Sequence, residues 1–474
     1  MLAQFVSDSL RRRGIHYAWV VAGVTFLAML VTSAALGLPG AMLRPLSGEF
    51  GWSTRELSSV FAVRFALYGL LGPFAALLIG QYGLRRIMMT ATIWIAAAML
   101  LATAVRQLWQ LAILWGLLLG CATGLTALVL GAMVANRWFT ARRGLVVGIL
   151  AASTATGQLI FLPLAAWLIE RYGWRYAVLP VSAGCFVVAA LTALFMRDRP
   201  EDVGLRPYDE PAAGDPAAGE PAAGDPAAGE PAGAAERTTP IHLPGRVPGQ
   251  ARGHVPLDLS GPLRGLGEGL RNRTFWILAG TFFICGLSTN GLIQTHFIAL
   301  CGDRGLATVP AASVLSMMGA FDLIGTTLSG YLSDRWDNRK LLFWYYGLRG
   351  LSLMWLPYST FTFYGLIVFA MFYGLDWIAT VPPTVKLCGR EFGKERAALF
   401  FGWIFAAHQL GAAAAAYGAG LTRTLLLTYT PALMAAGGAC LFAAAAVSWI
   451  RPPSARALIP KGQSTAEIGA VGRP

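Results

Sequence analysis

Residues 17–38 read YAWVVAGVTFLAMLVTSAALGL, an unbroken run with no charged side chain. Coiled as an α-helix, such a run reaches across a bilayer core of about 30 Å. In hydrocarbon the backbone must satisfy its own hydrogen bonds, so a helix is the form this run adopts. Similar runs recur at 57–79, 87–105, 108–135, 145–169, 176–196, 274–300, 309–333, 341–357, 361–385, 397–422 and 428–450, giving twelve predicted spans. The 474 residues are 56% hydrophobic and only 13% charged, against roughly 25% charged in soluble domains. That is too little charge to cover a water-exposed surface of this size. The expected fold class is an all-α membrane protein of twelve transmembrane helices in two pseudo-symmetric six-helix bundles. Residues 1–15 carry Arg11, Arg12 and Arg13 but no apolar core of a signal peptide, so the first run is expected to remain as a span.

The net charge of +13 raises nucleic acid as a partner, but its distribution points to a membrane instead. With twelve spans, 28 Lys and Arg fall on the side of the two termini and seven on the other, while Arg64 and Arg349 lie within spans. Basic loops stay in the cytoplasm, so both termini are expected there. The chain has 33 Arg against 4 Lys, a bias that points to a GC-rich bacterial genome and hence the inner membrane. The six cysteines form no CxxC or zinc-ligand spacing and read as small buried hydrophobes. No GxxxxGK(S/T) loop or HExxH helix is present, which argues against an ATP-driven pump and a metalloenzyme. No metal or cofactor is expected, and no enzymatic activity.

Residues 197–273 interrupt the apolar pattern and separate two halves, 1–196 and 274–450, with a tail at 451–474. From Glu210 to Glu230 the interruption repeats a five-residue unit, (E/D)PAAG. A proline in every unit denies it a helix, and the absence of apolar periodicity marks a disordered tether. Closer to the seventh span, Leu263, Leu266 and Leu270 recur at helical spacing beside Arg264, Arg271 and Arg273, the pattern of a short interfacial helix.

The halves repeat faintly. Residues 330–340, GYLSDRWDNRK, join spans 8 and 9, and residues 76–86, ALLIGQYGLRR, join spans 2 and 3 with their basic pairs aligned. A duplication of six spans accounts for this. The stretch at Gly330 resembles the loop signature of the major facilitator superfamily, GxxxDRxxxR(K/R). That resemblance implies a conformational latch made of Gly330, Asp334, Arg335, Arg339 and Lys340. The first-half copy carries Gly80 and Gln81 where the signature has its acid and arginine, so a latch there must be built differently. Residues 136–148, NRWFTARRGLVVG, and Gly51-Trp52-Ser53 are similar to the corresponding junctions of the monocarboxylate and oxalate/formate branch. Carriers of the monocarboxylate type usually place an arginine four residues after an aspartate of span 8. Here Asp322 is followed by Thr326, and span 11 offers His408 where oxalate/formate carriers use a basic residue.

Ionisable groups at membrane depth are costly and often functional. Arg64, with Tyr68 one turn on, can clamp an anion from span 2 or snorkel to the interface. Asn290 and Gln294 share a face of span 7 below His296, whose titration range suits proton coupling. Asp322 can carry a proton or pair with Arg349, and Arg349 in a peripheral span reads as support. Asp376, Thr380 and Thr384 recur at i, i+4 and i+8 in span 10, where Pro382 and Pro383 should open the helix, and Asp376 can pair with His408. The expected function is a secondary transporter working by alternating access, for a small organic anion such as a monocarboxylate, with protons as a possible co-substrate. The alternative within the same class is efflux of a hydrophobic or cationic compound. A membrane sensor is the alternative from another class, and the absence of a folded soluble domain speaks against it. Its partners are then a small molecule, protons and the bilayer, and a monomer suffices.

Overall fold

The computed structural model describes residues 2–126, 128–140, 142–209, 259–393 and 396–451. The (E/D)PAAG repeat and the tail beyond Arg451 lie outside the described residues. The crossings are α1 Ala18–Phe50, α2 Thr54–Tyr82, α3 Leu84–Ala102, α4 Leu108–Trp138, α5 Arg143–Tyr172, α6 Trp174–Phe195, α7 Arg273–Asp303, α8 Thr308–Arg335, α9 Asn338–Trp355, α10 in two pieces (Ile367–Leu375 and Val381–Phe392), α11 Ala397–Leu426 and α12 Thr430–Val447. Ten of these are long and apolar enough to cross a membrane on their own. The other two are α9 and α10, and each has a physical reason. Helix α9 is two-faced. Phe343, Trp344, Leu348 and Leu351 point outward, whereas Leu342, Tyr346, Arg349 and Leu353 are buried inward. Helix α10 is broken.

The junctions are short because their caps are built in. Gly51 ends α1 at φ 70°, and Ser53 starts α2 with a capping box: its hydroxyl accepts from the Glu56 amide while Glu56 accepts from the Ser53 amide. Gly83 and Gly173, at φ 89° and 95°, each end one helix and begin the next. A side chain would be strained at such angles. Asn272 caps α7 through the amides of Thr274 and Phe275.

Two short helices lie outside the crossings. One, Leu2–Arg12, is an unexpected amphipathic helix that sets Val6 and Leu10 against the core and leaves Phe5 outside. The interfacial helix expected before α7 forms at Ser260–Gly269, and of its leucine stripe Leu266 packs against the core. Leu263 and Leu270 are exposed, and the docking side is Pro262 and Gly265: Trp403 of α11 donates to the Pro262 carbonyl at 3.0 Å, and Gly265 faces Leu399.

Helices from the two halves of the chain meet in three pairs. Helix α2 runs along α11, with Arg55 donating to Thr424 at one end, Gly69 against Gln409 at mid-length, and the Phe74 ring edge-on to Trp403. Helix α5 meets α8, where Ser316 donates to the Gln158 carbonyl and the Val309 amide to Glu170. Helix α1 meets α7, with Gly40 on the carbonyls of Gln294 and Thr295 and Arg44 across Gly302. Arg44, Arg55 and Glu170 all sit at the far face, opposite the end that carries Arg12 and Arg451. That face is therefore tied together across the halves.

Candidate functional site

Helix α10 opens at residues 376–380, between its two pieces, and Pro382 and Pro383 fall in the first turn of the second piece, where missing amides cost nothing. The break frees backbone groups, and a carboxylate takes up an amide from one side while a guanidinium takes up carbonyls from the other. Asp322 of α8 accepts from the Ile378 amide at 2.9 Å and from its own helix's Thr326 hydroxyl at 2.9 Å. Arg349 of α9 spans the break from behind. Its Nε donates to Asp376 Oδ2 at 2.6 Å, its Nη2 to the carbonyls of Asp376 and Trp377, and its Nη1 to Cys285 Sγ of α7 at 2.8 Å. The pairing of Asp322 with Arg349 does not form, nor does that of Asp376 with His408. Arg349 takes Asp376 instead, because the two face each other where the helix opens. Thr380 meets Cys285 Sγ at 3.3 Å and Thr384 bonds back to the Thr380 carbonyl, so both hydroxyls serve the helix packing.

His296 is likewise held by structure. Its Nε2 faces the Ala416 carbonyl at 2.9 Å and its Nδ1 the Tyr429 hydroxyl at 3.3 Å, which ties α7 to α11 and α12. Asn290 and Gln294 lie in a π-helical stretch of α7, Leu287–Gln294, directly above Gly286, whose absent side chain lets α7 touch the His408 carbonyl. A second π-helical stretch, Ala112–Leu118 in α4, lies against α2 one turn from Arg64, and Gly120 then packs on the Arg64 backbone. Such wide turns are rare and recur at functional sites. Nothing in composition reports them.

Arg64 is 1% exposed, and its Nε and Nη1 have no hydrogen-bond partner among the described residues. Its guanidinium lies over the rings of Phe65 at 4.6 Å and Phe61 at 5.5 Å, and no ion pair to a carboxylate forms among the described residues. Tyr68 follows one turn on, edge-on to Phe405 of α11 at 5.7 Å. Phe405 stacks in turn on His408, which also meets Phe282 of α7. His408 Nδ1 and Gln409 Oε1 are buried without a partner as well. Where α2 meets α11, an aromatic chain thus runs from Tyr68 through Phe405 to His408, with Gln409 against Gly69 and Arg64 one turn before Tyr68. Gln409 was missed in the sequence, although its place beside His408 in an apolar span was the available signal. Asp322 lines a separate small pocket with Thr154, Gln158, Gly319 and Trp377, on the α5–α8 side.

The signature at residues 330–340 divides among several partners. Asp334 pairs with Lys386 of α10, Arg335 stacks on Tyr331, and Arg339 pairs with Asp337 at 2.6 Å and donates to the Ile450 carbonyl. In the first-half copy the acid missing at Gly80 is supplied from elsewhere: Asp198, just past α6, accepts from the Arg85 amide at 2.8 Å.

The sequence description of the Major Facilitator Superfamily matches residues 25–416, which covers all of this machinery except α12. The chain belongs to that superfamily. It is a multi-pass membrane protein of a transporter family, and its ligand is a small molecule. Among its relatives, monocarboxylate transporter 13 of Rattus norvegicus is 26% identical over 423 residues, 89% of this chain and 86% of the relative. Monocarboxylate transporter 4 of Mus musculus is 24% identical over 366 residues, 75% of this chain and 67% of the relative. Monocarboxylate transporter 3 of Mus musculus is 32% identical over 167 residues, 34% of this chain and 32% of the relative.

Proposed function

We propose that this facilitator carries a small organic anion of the monocarboxylate class, and that Arg64 is the charge that receives it. The carrying observation is the burial of Arg64 without a counter-ion. A lone buried charge costs several kcal/mol (an order of magnitude), and a carboxylate arriving from water removes that cost. A guanidinium donates to carboxylate oxygens, and the Arg64 Nε and Nη1, on two different edges of the group, are both without a partner and free to donate. Tyr68, His408 and Gln409 then supply neutral partners for the rest of the solute. The names of the relatives support the substrate class.

Asp322 is the coupling group in this reading. It faces the α5–α8 seam at a helix break, so a proton gained or lost there changes how α10 is held. The far-face contacts of Arg44, Arg55 and Glu170 must part for the site to open on that side, while at the other side the Asp334–Lys386 pair ties α8 to α10 within the second half. The halves 1–196 and 274–450 rock about the site, and substrate binding biases that equilibrium. Both termini face the cytoplasm of a bacterial inner membrane, the (E/D)PAAG segment links the halves, and one copy suffices. The protein makes and breaks no covalent bond.

Proteoliposome uptake of labelled short-chain monocarboxylates, with and without a pH gradient, tests this. Saturable uptake that an inward proton gradient accelerates is expected. A second reading, efflux of an organic cation, is favoured by Thr326, which leaves Asp322 without a basic neighbour on its own helix. Transport of a lipophilic cation with no response to carboxylates would replace the first reading by the second.

A further inference from the structure

The outer surface of α7 carries a groove that the transport path does not use. Its floor and walls are Arg273, Trp276, Ile277, Gly280 and Ile284 on α7, facing Phe442, Ala446 and Trp449 at the end of α12. The α7 residues follow the spacing i, i+3, i+4, i+7, i+11, a single stripe of about 16 Å along the helix axis. At Gly280 nothing lies within 4 Å of where a side chain would start, and Ala446 opposite is equally small. Trp276, Phe442 and Trp449 line the groove yet are 58%, 59% and 55% exposed. Three large rings left uncovered on the membrane-facing surface are covered by lipid, and the open floor at Gly280 between them gives an acyl chain a place to lie. Its end is charged. Arg271 and Arg273 are exposed and have no ion pair among the described residues, while the nearby acids are already engaged, Glu391 with Asn272 and Glu268 with Arg396.

We propose that this groove is a binding site for one anionic glycerophospholipid, its phosphate on Arg271 and Arg273 and one acyl chain lying along Gly280 to Ile284. Both parts of the ligand are specified. The apolar trench requires a chain anchored in the bilayer, and the two unpaired guanidiniums at its interfacial end select a negative headgroup. Tryptophans on either side of that end place it at the headgroup level. The site meets the end of the helix Ser260–Gly269 through Trp276, whose Nε1 donates to the Leu270 carbonyl at 2.9 Å, so occupancy reinforces the entry of α7 without entering the transport path.

The test is lipid retention by the full-length protein in detergent, read by native mass spectrometry during titration with phosphatidylglycerol or with phosphatidylcholine of the same chains. One phosphatidylglycerol is expected to bind more tightly than phosphatidylcholine, by about fivefold per arginine. Arg271→Ala with Arg273→Ala should erase that preference while leaving weak binding of both lipids. Gly280→Phe fills the trench and should abolish retention of both, with uptake activity in excess lipid unchanged. Equal binding of the two lipids by the unaltered protein overturns the proposal. So does full retention in Gly280→Phe, a variant whose new side chain enters open space and whose folding is checked by its uptake activity.

Discussion

Two arginines lie buried at membrane depth, each 1% exposed, and their surroundings differ completely. Arg349 donates to a carboxylate, two carbonyls and a thiol drawn from α7 and α10. Arg64 has two aromatic rings and no hydrogen-bond acceptor for its Nε and Nη1. The same side chain therefore does two jobs. Where every donor is used, the charge closes a helix break and belongs to the fold. Where the donors are free, the charge has two rings and no hydrogen-bond partner for these nitrogens to offset its burial, which is the ground for the proposal that Arg64 receives the ligand. Charge at depth does not by itself mark a transport site; on the proposed reading, the unsatisfied charge does.

The sharpest way to break this contrast is Asp376→Ala. It strands the Arg349 charge and should lower unfolding stability in detergent by about 3–5 kcal/mol. Replacing both partners together, Arg349→Met with Asp376→Leu, should recover most of that loss, since the pair itself is worth little against apolar packing. A loss below about 1 kcal/mol for the single variant would leave Arg349 no more structural than Arg64. The mirror experiment is Arg64→Ala. Its thermal stability should hold or rise, while substrate uptake at low concentration falls about 10- to 150-fold, the worth of a hydrogen bond to a charged group. Loss of stability without a change in relative affinity would move Arg64 to the structural side.

Much of this architecture was legible in the sequence because lipid imposes a simple rule on it. Apolar runs of sufficient length give the crossings, and the basic loops and Pro382-Pro383 mark their ends. What could not be read was pairing across helices. Arg349, Asp322, Asp376 and His408 stand out in the sequence as ionisable groups within spans, with Asp322–Arg349 and Asp376–His408 as the expected pairs. Which of them meet depends on where α10 opens and on the inward turn of α9, neither of which has a periodic signal. The acid that serves the first-half loop could not be read for a similar reason. Asp198 is far along the chain from Arg85, and only the fold brings it there. Gln409 escaped because an uncharged amide does not stand out among small residues, although burial leaves its oxygen without a donor.

Gln409→Leu sharpens the contrast at smaller scale. It removes a buried neutral acceptor of the proposed site and should weaken apparent substrate affinity about fivefold, the worth of one uncharged hydrogen bond. An unchanged affinity would take Gln409 out of the site and leave Arg64 intact.

The smallest effect comes from the same chemical pair placed in a loop. Arg339 donates to Asp337 at 2.6 Å with both side chains partly exposed, so its comparison with Arg349–Asp376 isolates what burial adds. The Arg339 hydrogen bonds hold the Asp337 carboxyl below its usual range. A carboxylate whose folded value is depressed contributes stability above its unfolded value of about 3.9 and loses it as the pH falls through the lower, folded one. Asp337→Asn keeps the cap on the Arg339 amide and removes only the charge. It should therefore cost no more than about 1 kcal/mol at pH 7. The gap between the two proteins should close as unfolding is measured at successively lower pH below about 3.9, because both then carry a neutral side chain at this position. A cost near that of Asp376→Ala would mean that the protein interior adds nothing to an arginine–aspartate pair, and the distinction drawn between Arg349 and Arg64 would lose its physical basis.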